Sequence, residues 1–186
     1  MWFKQISFYP INLENMPELE LLATKLTEAE FVPCMGLDWF STGFSSPVSF
    51  SPELVFPADF TWRVALKKVE KVLPAGVIKV ILDETVVEIQ NNEARNVGRK
   101  EKQELKEQIT DDLLPRAFTR SSHTQAIFDT KHGFVLVNNA SAVKAEAMLT
   151  KIREALGGLE ARLPHQTITL YLDDGLVVEW SGRRWF

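Results

Sequence analysis

The chain has 186 residues, enough for one domain or two small ones with a substantial core. Apolar residues make up 45% and charged residues 25%, an ordinary globular balance, and no apolar run reaches the ~18–20 residues of a membrane span. The formal net charge of −4 would argue against a nucleic-acid partner if it were evenly spread, and it is not. Residues 1–60 hold two basic and eight acidic side chains, while the remaining 126 residues hold 19 basic against 17 acidic. Local fields, rather than the total, decide steering.

The opening Met1-Trp2-Phe3-Lys4-Gln5-Ile6 lacks the basic and long apolar regions of a secretory signal. Cys34 is the single cysteine, which excludes an internal disulfide and a cysteine metal cage. Both features point to a reducing, cytoplasmic compartment.

In chain order, residues 2–9 alternate as a strand with apolar side chains on both faces. Met16-Pro17 opens a helix whose stripe is Leu19, Leu22, Leu26 and Ala29. Residues 31–59 mix Phe, Trp, Pro, Ser and Gly without a period, as expected of a long connection anchored by aromatics with at most a short strand. From Phe60 a strand runs with Phe60, Trp62, Val64 and Leu66 on its apolar face, and Pro74-Ala75-Gly76 ends it.

A helix follows with Val77/Ile78, Ile81/Leu82, Thr85/Val86 and Ile89 on one side, interrupted at Asn91-Asn92 and Gly98. The segment Lys100–Leu114 forms a second, very polar helix, with Leu105, Ile109 and Leu113 as its apolar positions, and Pro115 ends it. The pair reads as a two-helix hairpin over 75–114, projecting from a body made of 1–74 with 115–186. Residues 126–129 and 134–137 form a hairpin around Lys131-His132-Gly133. Ser141 then caps a helix closed by Gly157-Gly158, and a second hairpin turns at Asp173-Asp174-Gly175. The fold class is α+β, with mixed or antiparallel sheets, packed helices and a projecting helical hairpin.

Enzyme chemistry has little footing in this pattern. There is no glycine-rich phosphate loop, and His123, His132 and His165 lack the spacing of a helical metal site, so no metal and no cofactor are expected. Asp173-Asp174 reads as a turn, and Cys34 has no basic neighbour to activate it, which suggests a buried or inert thiol. A pocket bringing His123 or His132 to a carboxylate or hydroxyl would reopen the question.

Three groups of cations are candidates for phosphate contact. Arg63, Lys67, Lys68, Lys71 and Lys79 lie on or beside the long strand, where the alternative is a solvated face that protects an edge. Arg95, Arg99, Lys100, Lys102 and Lys106 lie on the projection, interleaved with Glu101, Glu104 and Glu107 in the manner of a plain exposed helix. Arg116 and Arg120 flank Phe118, which is either a core anchor or a surface contact.

Several ordered motifs resemble the RdgC family of bacterial recombination-associated proteins. They are Trp2-Phe3-Lys4, Phe31-Val32-Pro33-Cys34 and Lys71-Val72-Leu73-Pro74-Ala75-Gly76-Val77-Ile78-Lys79. The most specific runs from Gly98-Arg99-Lys100 through Leu113-Leu114-Pro115-Arg116-Ala117-Phe118-Thr119-Arg120 and on to Leu156-Gly157-Gly158-Leu159. The resemblance covers about the first 160 residues, and family members continue for almost as much again. The chain is therefore expected to be a naturally shortened relative, or one lacking its middle-to-late portion.

The resemblance implies a non-enzymatic, nucleoid-associated protein that binds double-stranded DNA without sequence preference. It also implies a ring-like homodimer with Phe118 as a dimer contact, which restrains a RecA-type recombinase by occupying its substrate. The alternative is a truncated interaction or dimerisation module without DNA binding.

Overall fold

A computed structural model describes residues 6–11, 14, 16–139 and 141–158, together with the backbone of 167–173 and 175–181. In chain order the elements are β1 (Ile6–Pro10), α1 (Leu19–Glu28), β2 (Phe40–Ser45), β3 (Val55–Ala58), β4 (Thr61–Val72), α2 (Ala75–Glu93) and α3 (Arg99–Leu113). A 3₁₀ turn (Leu114–Arg116), β5 (Phe118–Asp129), β6 (Phe134–Val137), α4 (Ala142–Leu156), β7 (Thr167–Asp173) and β8 (Gly175–Ser181) follow. The strands join in the order β2-β4-β5-β6-β1-β7-β8, with β3 also on β4. The registered ladders are antiparallel, including β5–β6, β1–β6, β3–β4 and β7–β8. The α+β class expected from the sequence is the one observed.

The chain forms two compact units. One comprises Met1–Phe31, Thr42–Lys67 and Ser122–Phe186, and the other Val32–Ser41 and Lys68–Ser121. The first holds a core on one sheet face. Strands supply Tyr9, Phe44, Val64, Leu66, Ala126, Phe128, Val135 and Val137. Helices α1 and α4 add Leu22, Leu26, Ala145, Met148, Leu149 and Ile152 at helical spacing. Each large apolar side chain removed from water contributes about 1.5–3 kcal/mol, which is what holds these helices on the sheet. Burial pushes the Tyr9 hydroxyl up to about 12, reinforced by the Glu146 carboxylate, so this ring stays neutral within the core.

The second unit is thinner. Helix α2 buries Ile78 and Val86, α3 buries no residue fully, and Leu105, Ile109 and Leu113 are half-buried. The segment Val32–Ser41 is tied to β4: Lys71 N–H donates to Trp39 O at 2.8 Å and Lys71 Nζ donates to Gly36 O at 2.5 Å. Cys34 is half-exposed, with Sγ 3.5 Å from Val69 O, so the expected burial of this thiol is incomplete.

Several local expectations need correction. The first helix starts at Leu19, two residues after Pro17. Residues 31–59 contain two strands, β2 and β3, rather than a connection with at most one. Phe60 sits exposed in the β3–β4 turn, not on the strand face. Asn91 and Asn92 lie inside α2, and the break comes at Ala94, whose left-handed φ of 49° ends the helix. Ser141 occupies the N-cap position of α4 without a side-chain cap bond; its N–H instead donates to Asn139 Oδ1 at 3.0 Å. At the other end Gly157 adopts φ 72°, the left-handed stop the sequence suggested. Trp2, Phe3 and Lys4 lie outside the described residues.

Candidate nucleic-acid interface

Helix α3 sorts its charges by face. At 100° per residue, Arg99, Lys102 and Lys106 fall within about 60° of arc, while Glu101, Glu104, Glu107, Asp111 and Asp112, with Lys100 among them, lie on the opposite side. All three cations are exposed, and among the described residues none has an ion-pair partner. The spacing i, i+3, i+7 is present in the sequence, where the interleaved Glu101, Glu104 and Glu107 mask it. On α2, Lys79 is likewise exposed and unpaired among the described residues.

Several other cations of this unit are engaged. Arg95 donates two bonds to Glu101, at 2.6 and 2.7 Å, and its Nε meets Glu93 at 2.5 Å. Glu101 and then Glu93 raise the Arg95 pKa still further, and Arg95 in turn holds the Glu101 carboxyl below its usual range. Lys100 lies 3.7 Å from Glu104, an exposed i, i+4 pair worth only a few tenths of a kcal/mol. Arg116 reaches back to Asp112 O at 3.5 Å, a long contact that leaves its charge unneutralised.

Glu70 takes two of the candidates together. Arg120 Nε donates to Glu70 Oε1 at 3.1 Å with Nη2 on the same oxygen, and Lys68 Nζ lies 3.1 Å from Oε2. Arg120 first and Lys68 second hold the Glu70 carboxyl below its ordinary value. A depressed carboxylate pKa means that this cluster is intact at neutral pH and is lost as pH falls through the lowered value. Lys68 also sits 5.2 Å from the Phe40 ring centroid, and Lys71 spends its ammonium on Gly36 O. Lys68, Lys71 and Arg120 are thus local staples, an arrangement no sequence spacing could show because Glu70 and Arg120 are 50 residues apart.

In the first unit, the alternation of β4 places Val64 and Leu66 in the core and Arg63 and Lys67 on the opposite face, both half-buried. Lys67 Nζ lies 4.4 Å from the Phe31 ring centroid, a cation–π contact worth about 0.5–1 kcal/mol. Arg63 has no ion pair among the described residues.

Phe118 is 87% exposed at the start of β5, so it is not a core anchor. Phe118→Ala should therefore leave the thermal midpoint of the monomeric fold nearly unchanged, within about 0.5 kcal/mol of wild type. A large drop in a melting experiment would contradict that placement.

Among the described residues, titratable groups elsewhere form no larger constellation. His132 Nδ1 lies 2.9 Å from Asp129 Oδ2 in the β5–β6 turn, and Asp129 also accepts the backbone N–H groups of Lys131 and His132. These bonds, the imidazole first, hold the Asp129 carboxyl low. The pair is an exposed turn brace rather than a pocket. His123 is exposed on β5, while His165 and Asp174 lie outside the described residues. Among the described residues no three His, Cys, Asp or Glu side chains converge as a metal site would require, and no helix is long and apolar enough to cross a membrane.

Comparison with known proteins covers nearly the whole chain. The RdgC family model, described as "Putative exonuclease, RdgC", matches residues 1–172. Curated relatives named Recombination-associated protein RdgC include one from Neisseria meningitidis serogroup C, 78% identical over 165 residues, covering 89% of this chain and 55% of the relative. One from Laribacter hongkongensis is 44% identical over 170 residues, covering 91% and 56%. Another, from Shewanella denitrificans, is 39% identical over 183 residues, covering 94% and 60%. The chain thus spans 55–60% of the length of these relatives. A family match over residues 1–172, at up to 78% identity to these relatives, admits one conclusion: the chain belongs to the RdgC family.

Proposed function

We propose that the chain binds double-stranded DNA without sequence preference and so limits the access of a RecA-type recombinase to its substrate. The observation that carries this reading is the stripe Arg99, Lys102 and Lys106 on α3, exposed and unpaired among the described residues. Three cations along one helical edge can follow a phosphate backbone but read no base, which is the chemistry of sequence-independent contact. Lys79, Arg116 and Arg63 supply further available cations. Lys67, Lys68, Lys71, Lys100 and Arg120 would have to leave existing partners and contribute less.

Binding to the nucleoid in this way needs no cofactor. Exposed Phe118 supports self-association as a homodimer, because an aromatic this accessible is the kind of anchor whose truncation costs about 2 kcal/mol of binding. The family match supports the recombination role.

Titration of two labelled duplexes of unrelated sequence tests the proposal. Both should bind alike, and affinity should fall about 40-fold between roughly 50 and 200 mM salt if three phosphate contacts dominate. Absence of binding at the lower salt would leave an interaction or dimerisation module. The family description favours one further reading, an exonuclease. Shortening of the labelled duplex in the presence of magnesium would establish it in place of simple binding.

A further inference from the structure

Helix α2 carries a second face, and its chemistry is opposite to that of the α3 stripe. Val77, Val80, Glu84, Val87 and Asn91 follow one another at spacings of three and four residues, the seam of a helix that packs lengthwise against another helix. With flanking Asp83 and Glu88 they occupy about 140° of arc, and no Lys or Arg falls within it. The hairpin does not cover this seam: Ile78 and Val86 are the buried residues of α2, whereas Val77, Val80 and Val87 are 45%, 57% and 54% exposed.

Valine is a poor choice for a solvated helical face. Its β-branch lowers helix propensity, and without burial it returns nothing. Three valines at seam spacing are explained if something buries them. Asp83, Glu84 and Glu88 have no ion-pair partner among the described residues, and with Val87, Asn91 and Asn92 they line a shallow groove along the helix.

We propose that this face docks an amphipathic, lysine- or arginine-flanked helix of a partner protein. The valines take the partner's apolar seam, and the carboxylates meet its flanking cations. Glu84 and Asn91 within the seam fix the register, as polar seam positions do. A polyanion is repelled from this arc, so the surface is separate from the proposed duplex contact and does not depend on it.

The test uses the full chain and a synthetic peptide of about three heptads with Leu in the seam and Lys at the flanks. A twin peptide with Glu at the flanks serves as control. Anisotropy should show binding of the basic peptide and none of the acidic one. Val80→Ser with Val87→Ser, both exposed and checked by thermal melting, should weaken binding about tenfold or more. Asp83→Lys with Glu88→Lys should transfer the preference to the acidic peptide while leaving duplex affinity no lower. Equal binding of the basic peptide to wild type and both variants would overturn the proposal. Altered sedimentation of the valine variant without peptide would overturn it too, by making a second copy of the chain the occupant.

Discussion

Phe128→Ala is expected to remove about 3–5 kcal/mol of stability, because it combines lost burial with a cavity that the surrounding β-ladder cannot close. Phe128 is fully buried in β5, opposite Val135 of β6, within the cluster that α1 and α4 cover. Ten residues earlier on the same strand, Phe118 makes the opposite prediction for the same chemistry, since its ring is already in water. Denaturant melts of the two variants side by side check the assignment. The expected outcome is a large shift for Phe128→Ala and almost none for Phe118→Ala. Equal shifts would mean that the depth of β5 has been misjudged.

Gly43→Ala is the second substitution with a large expected effect, and its cause is steric. A Cβ at Gly43 would sit 2.6 Å from Phe31 N and 2.8 Å from Glu30 C, and closer still to Phe31 Cα. Those atoms are backbone and cannot rotate aside. They are also fixed, because Phe31 N–H donates to Phe44 O at 2.8 Å and Phe44 N–H donates to Ala29 O at 2.9 Å, forming a parallel bridge beside Gly43. One methyl group must therefore break this bridge or displace β2, with Phe44 beside it in the core. Overpacking of this kind typically costs 1–3 kcal/mol, and a backbone-only obstruction belongs at the upper end, about 3 kcal/mol. Thermal unfolding of Gly43→Ala checks this; an unchanged midpoint would show that β2 and the Phe31 segment can separate freely.

Most of the scaffold was legible in the residues. The switch from strand to helix at Pro74 marks a change of period from two to 3.6, and α2, α3, the β5–β6 turn and the Gly157 stop fall where that change and the turn residues place them, although β5 begins at Phe118, eight residues before the expected strand. Strands β2 and β3 were hidden because they are short and partly exposed; β2 buries only Gly43 and Phe44, too few to show alternation among Ser, Thr and Pro. Ser141 shows the limit of a single-residue cap signal: it holds the N-cap position of α4, yet its hydroxyl makes no cap bond.

The candidate site was legible as a list of cations but not as a surface. Arg95 and Arg120 look equivalent to Arg99 along the chain. Only three-dimensional placement opposite Glu101 and Glu70 separates the engaged charges from the available ones.

If the unpaired α3 edge follows a phosphate backbone as proposed, the salt dependence of duplex binding reports it. Wild type and an Arg99→Ala, Lys102→Ala, Lys106→Ala variant would be titrated with the same duplex across a range of salt concentrations. The slope of log affinity against log salt should become shallower by about 3 in the variant, close to one unit for each lost phosphate contact, with the melting temperature unchanged. An unaltered slope and affinity in a folded variant would contradict the account, because the duplex would then be held by some other surface.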